Sequence, residues 1–172
     1  MIKQNAIFPG AFNKVAIKWD KPVLLSEINK LGNKDQDKCF LYKIVGKNKK
    51  NPDDYRLIYI GMTEAQLVHY RLSNKDHQKK QAEMKKKHRG YELHCSVGEF
   101  IENYEKADLI YSLNNIKKIE SLLIVAHSGD EYKLFNKKSK NWFSTEEWIF
   151  ISNEGFLKDK MKKQISFGLF SS

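Results

Sequence analysis

Cysteine is nearly absent from this chain of 172 residues, which holds only Cys39 and Cys95. Two thiols are too few for a zinc site of four cysteine ligands, and they do not form the Cys-x-x-Cys pair of metal and redox centres. Both read as small core residues. No apolar run approaches the roughly 20 residues needed to cross a bilayer, and the mean hydropathy is -0.63, so no membrane span is expected. The opening residues, MIKQNAIFPGAFNKV, lack the apolar stretch of a secretory signal, which gives a cytoplasmic expectation. Internal repeats, low-complexity tracts and coiled-coil heptads are also missing.

Acidic charge is in the minority, with 21 Asp and Glu against 31 Lys and Arg, a net charge of +10. A basic protein gains affinity for a polyanion by displacing its condensed counterions. Composition alone is equally compatible with a chain that meets no nucleic acid, so the placement of the charges must decide. With 41% hydrophobic and 12% aromatic residues the chain can bury one core but not two.

Along the chain, AFNKVAIKW alternates like a strand, and KPVLLSEINKLGN reads as a helix ending in a glycine cap. Residues 1–38 are therefore predicted to be an N-terminal elaboration. CFLYKIV and YRLIYIG are strand-like runs separated by the turn-rich GKNKKNPDD, a hairpin signal. By the two-residue period, Phe40, Tyr42 and Ile44 share a face, as do Leu57, Tyr59 and Gly61. Thr63 with Gln66 reads as a capping box opening one helix that runs to Gly90. Its distal part concentrates Lys79, Lys80, Lys85, Lys86, Lys87 and Arg89 against Glu83, either a phosphate-binding face or a merely solvated one. YELHCSVGEF reads as a strand and SLNNIKKIESLLIVAH as a helix. Residues 137–172 are predicted to be a C-terminal extension packed on the core.

Two charged residues break the apolar pattern. Glu120 falls inside the helical stripe of Ile116, Ile119, Leu123 and Ile124. An inward carboxylate needs a cation, hydrogen-bond donors or a solvated pocket, so the choices are a metal, a buried ion pair or a tilt to solvent. Arg71 similarly falls between Leu67 and Val68. Its guanidinium suits a phosphate, or equally a core carboxylate such as Glu120 itself.

LYKIV, LIYIGMT, YRLSNKDH, KKIESLLI and LFN follow one another in the order of the motifs of the GIY-YIG endonucleases, which this chain resembles from about Cys39 to Asn136. The resemblance implies an α+β fold with a small three-stranded antiparallel sheet flanked by helices, and residues 39–136 as a nuclease core. It places Tyr42 and Tyr59 on the two motif tyrosines, Arg71 on the helix arginine, His77 on a histidine after it, Glu120 on the metal ligand and Asn136 on the asparagine that closes the site. Phe40 stands where the family usually has glycine, and His69 occupies a slot nearer to the usual arginine spacing than Arg71.

The function implied is phosphodiester hydrolysis with Mg2+ or Mn2+, most readily of double-stranded DNA, by an enzyme that could act as a homodimer. In that expectation Tyr42, made more acidic by neighbouring cations, takes the proton of the attacking water. Tyr59 or His77 supports it, Arg71 holds a phosphate oxygen, Glu120 anchors the metal and Asn136 orients the phosphate or a metal-bound water. A nuclease of RNA or single strands, and a binding module without activity, are the alternatives. His88, His94 and His127 read as exposed or core residues rather than catalytic ones.

Overall fold

A computed structural model describes residues 13–30, 40–101, 113–129, 133–137 and 149–167. Strands β1 (Asn13–Trp19) and β2 (Val23–Leu24) are followed by a 3-10 turn (Leu25–Lys30), strands β3 (Leu41–Asn48) and β4 (Tyr55–Met62), and helices α1 (Val68–Ser73) and α2 (Lys75–Lys87). Strand β5 (Tyr91–Phe100), helix α3 (Leu113–Ala126) and strands β6 (Ile149–Gly155) and β7 (Gln164–Phe167) complete the described elements.

The apolar run of β3 is buried from Leu41 to Gly46 because this strand lies inside the sheet and is covered on both faces. Leu41 and Val45 face one way, into a core built with β1, β6 and the apolar stripe of α3. Tyr42 and Ile44 face the other way, into a second core made with α1, α2 and the 3-10 turn. Helices thus cover both faces of the sheet, the layered arrangement that buries two apolar sheet faces at once. Cys95 lies in the second core, fully buried, whereas Cys39 falls outside the described residues.

The small three-stranded sheet expected from the sequence is not what forms. Strands β4, β3 and β5 are antiparallel neighbours within a mixed seven-stranded sheet of order β4-β3-β5-β1-β6-β7, with β2 paired to β5. Strand β1, expected in a peripheral elaboration, occupies an interior position. It runs parallel to β6 from Asn13 opposite Ile149 to Trp19 opposite Gly155, and antiparallel to β5. The reason is that Val15, Ile17 and Trp19 carry too much apolar surface to leave at an edge, and only pairing on both sides buries them.

Two local expectations are also corrected. The β3–β4 register shifts between Ile44 and Val45, where Ile44 pairs with Tyr59 but Val45 with Leu57. Ile58 is the extra residue of a bulge, so Leu57 turns to the α3 side while Tyr59 stays on the side of Tyr42. Thr63 caps no helix: its N–H donates to the Phe40 carbonyl at 2.8 Å and its hydroxyl accepts from the Phe40 N–H at 2.9 Å, closing the hairpin end. The helix begins only at Val68, after Ala65 with φ 44°, and is divided by the extended backbone of Asn74. Gln81 of α2 donates to the Leu72 carbonyl at 2.8 Å, satisfying an acceptor that the break in the helix exposes.

Lys43 leaves β3 on the face opposite Tyr42 and is fully buried. Its ammonium lies 2.9 Å from the Asp159 carboxylate, donates to the Phe156 carbonyl at 2.7 Å and sits 4.8 Å from the Trp19 ring centroid. Nearby, Nδ1 of His127 donates to the Leu123 carbonyl at 2.7 Å and Nε2 accepts from the Lys162 N–H at 2.9 Å, fixing the neutral tautomer. Among the described residues no helix is long and apolar enough to cross a membrane.

Candidate active site

The hairpin β3–β4 sets Tyr42 directly opposite Gly61. A Cβ at position 61 would stand 2.5 Å from Cζ and 2.6 Å from the hydroxyl of Tyr42, and 2.8 Å from the Tyr59 ring. Glycine is therefore the residue that lets the Tyr42 ring cross β4 and meet Tyr59. The ring centroids are 6.1 Å apart, tilted by 32°, and the nearness of the Tyr42 hydroxyl offsets part of the upward shift of the Tyr59 pKa. Tyr42 is buried, with 1% exposure, whereas Tyr59 is half-buried and reaches solvent.

Helix α1 buries Val68 and Leu72 against the second core, which carries Arg71 to the flank of the helix. Its charge acts on Tyr42, Tyr59, His77 and Glu120 alike. Arg71 Nε is buried and has no hydrogen-bond partner among the described residues. Such a donor costs free energy unless something accepts from it. His69 lies on another flank, its ring 4.1 Å from that of Tyr70. Arg71 is the residue of this helix whose charge reaches both tyrosines and the carboxylate.

Glu120 comes from the opposite layer. Ile116, Ile119, Leu123 and Ile124 are buried as the stripe requires, and Glu120 is half-buried at the end of β4, where its carboxylate accepts the Met62 N–H. Burial pushes its pKa up to about 7 against the pull of Arg71, the Met62 hydrogen bond and Lys117, while Glu64 pushes in the same upward direction. Lys117 itself pairs with Glu64 at 3.2 Å. Burial also raises Tyr42 well above the ordinary tyrosine range, with Tyr59 adding to it, and raises Tyr59, with Glu120 adding to it. The expectation that nearby cations make Tyr42 more acidic is thus reversed: desolvation outweighs Arg71. His77 is buried and pushed down to about 4 by burial, Arg71 and Lys80.

Asn136 closes the site differently from expectation. Its Oδ1 accepts the Ile60 N–H at 3.1 Å and its Nδ2 donates to the Ile60 carbonyl at 2.8 Å. Phe135 N–H donates to the Ile58 carbonyl at 2.7 Å. Residues 133–137 therefore cover the outer edge of β4, and the Asn136 amide is committed to the backbone between Tyr59 and Gly61. Lys79, Lys80, Lys85, Lys86, Lys87 and Arg89 are all exposed, outside this cluster.

Sequence reasoning missed Gly61, Glu64 and Lys117. The signal for Gly61 was its place opposite Tyr42 once the hairpin is drawn; Glu64 and Lys117 lie on elements that only the folded chain brings together.

Among the described residues no group of three or more His, Cys, Asp or Glu side chains is arranged to hold a metal. A hard divalent cation that keeps water and phosphate oxygens as most of its ligands needs only one or two carboxylates. Glu120, a carboxylate with few compensating donors, fits Mg2+ or Mn2+ in that mode and does not fit a nitrogen- and sulfur-liganded zinc. No family model, curated protein or solved structure matches the chain.

Proposed function

We propose that this chain is a divalent-metal-dependent endonuclease that hydrolyses phosphodiester bonds, with double-stranded DNA as its substrate and the cytoplasm as its place of action. The observation that carries the reading is the convergence on Arg71: an arginine whose Nε has no hydrogen-bond partner among the described residues, and whose charge acts on two adjacent tyrosines and on one carboxylate drawn from the opposite layer. The motif order of the GIY-YIG enzymes supports it at the level of these residues, not at the level of the sheet.

In this mechanism Arg71 holds a non-bridging phosphate oxygen and offsets the charge that builds on it. Glu120 would hold Mg2+ or Mn2+, which supplies positive charge at the leaving 3′ oxygen. Tyr59 is better placed than Tyr42 to face the attacking water, since it reaches solvent whereas Tyr42 is buried. Neutralising Glu120 removes one cause of the raised Tyr59 pKa. With Tyr59 ionised, its own proton given up to solvent, the phenolate takes a proton from the attacking water, the water oxygen attacks phosphorus, and the bond to the 3′ oxygen breaks, the 3′ alkoxide then taking a proton from solvent. His77, neutral above about pH 4, acts as a hydrogen-bonding group and not as a proton carrier. Asn136 positions Tyr59 and Gly61 through Ile60. One such centre cuts one strand, so cutting both strands calls for two copies or two visits.

The test is cleavage of supercoiled plasmid, single-stranded DNA and RNA with Mg2+ or Mn2+, beside Glu120→Ala and Arg71→Ala. Metal-dependent plasmid cutting that both variants lose is the expected result. Shifting of the nucleic acid on a gel without cutting by the wild-type protein would replace the enzyme with a binding module. Cutting confined to RNA or single strands would reassign the substrate.

A further inference from the structure

Helix α2 is lysine-rich all round its outer surface, yet only one flank borders the site. Its inward residues are His77, Gln81, Met84 and His88 of the following cap, at spacings of one helical face. Turning by ~100° per residue places Lys80 and Lys87 on one flank beside that stripe, Lys85 on the opposite flank, and Lys79 and Lys86 pointing away from the sheet. One observation identifies the Lys80 and Lys87 flank as the one beside the edge of β4. Lys87 Nζ lies 5.9 Å from the centroid of Phe135, whose N–H is bonded to β4. The acidic groups facing this flank are Asp76, which acts on His77, and Glu83, which is 4.0 Å from Lys137.

Resting on the nuclease reading above, we infer that Lys80 and Lys87 are the phosphate contacts that guide a polynucleotide strand to and from Arg71, while Lys79, Lys85, Lys86 and Arg89 supply long-range attraction alone. Lys87 follows Lys80 by seven positions, about 10 Å along the helix axis, which equals about three base-pair rises of ~3.4 Å for a duplex whose axis runs along α2. A strand lying there places its phosphates against two cations whose stems are held by the helix, where Glu83 is already matched by Lys137.

The experiment is binding of a fluorescein-labelled DNA duplex, followed by anisotropy in EDTA so that no cutting occurs, across a series of salt concentrations. Wild type, Lys80→Ala/Lys87→Ala and Lys79→Ala/Lys86→Ala are compared. The two double variants remove the same charge from the same exposed helix, and alanine preserves helicity. For Lys80→Ala/Lys87→Ala the expected result is a salt slope smaller by about 1.8, two contacts at ~0.9 each, and at least tenfold weaker binding near 150 mM salt. For Lys79→Ala/Lys86→Ala the expected change in slope is less than half of that. Equal losses in the two variants would overturn the inference and leave diffuse attraction in its place. If the wild type cuts in the plasmid assay while the variants behave alike, the inference alone fails. If the wild type neither cuts nor binds, the nuclease reading fails with it.

Discussion

Tyr42 lies across Gly61, with the space of a missing Cβ filled by its Cζ and hydroxyl. Gly61→Ala therefore forces the ring off its place, and neither β3 nor β4 can yield because each is held in the sheet. Overpacking of this kind costs about 1 to 3 kcal/mol. Denaturant unfolding should show that loss, and cleavage should fall further than stability alone explains, since the contact between Tyr42 and Tyr59 is displaced as well. Wild-type cleavage by the Gly61→Ala variant would remove the tyrosine pair from the mechanism.

Asn136 offers a test of positioning against contact. Asn136→Asp keeps the acceptor for the Ile60 N–H but turns a carboxylate oxygen toward the Ile60 carbonyl, where a donor stood. Leaving a buried acceptor without its donor costs about 1 to 3 kcal/mol. If Asn136 acts through β4, the variant loses stability and kcat while KM for DNA stays near that of the wild type. A rise in KM with unchanged stability would instead put Asn136 on the substrate.

How much of this was legible before folding differs from element to element. Tyr42, Tyr59 and Glu120 could be placed because short-range periodicity sets which way a side chain points, and Glu120 was conspicuous as a charge in an apolar stripe. The seven-stranded sheet was not legible, because pairing of β1 with β6 joins residues more than 130 positions apart and leaves no local mark. Leu57 was misplaced because a bulge shifts the two-residue period without a glycine or proline to announce it. The pKa of Tyr42 was misjudged for a different reason: sequence shows which charges are near but not how completely the phenol is removed from water, and desolvation is the larger effect here.

Lys43 and Asp159 make a fully buried ion pair that joins β3 to the segment after β6. Removing one partner leaves an uncompensated charge in the core, so Lys43→Met or Asp159→Leu should each destabilise the protein by about 3 to 5 kcal/mol. The double variant Lys43→Met/Asp159→Leu should recover much of that loss, because an apolar pair needs no desolvation of charge. A chemical-denaturation double-mutant cycle measures the coupling; additive losses would show that packing, not the ion pair, holds the segment.

Glu120 predicts an unusual pH dependence. Its pKa is raised from 4.5 to about 7, so between these values the folded state holds a proton that the unfolded state has released. Stability contributed by the protonated form is then complete below about pH 4.5 and is lost as pH rises to 7. His77 and His127, both lowered from 6.5 to about 4, act in the opposite sense, losing stability as pH falls through that window. Comparing wild type with Glu120→Gln at each pH cancels the histidines. The variant should match wild type near pH 4.5 and exceed it by on the order of 2 kcal/mol at pH 8, with the partial exposure of the carboxylate allowed for, or roughly 4 to 8 °C in Tm. Mg2+ at pH 8 should narrow that gap by stabilising wild type and leaving Glu120→Gln unchanged. A gap that is flat with pH would mean that Glu120 is solvated and ordinary; a pH-dependent gap that Mg2+ does not touch would leave the carboxylate buried but remove it from metal binding.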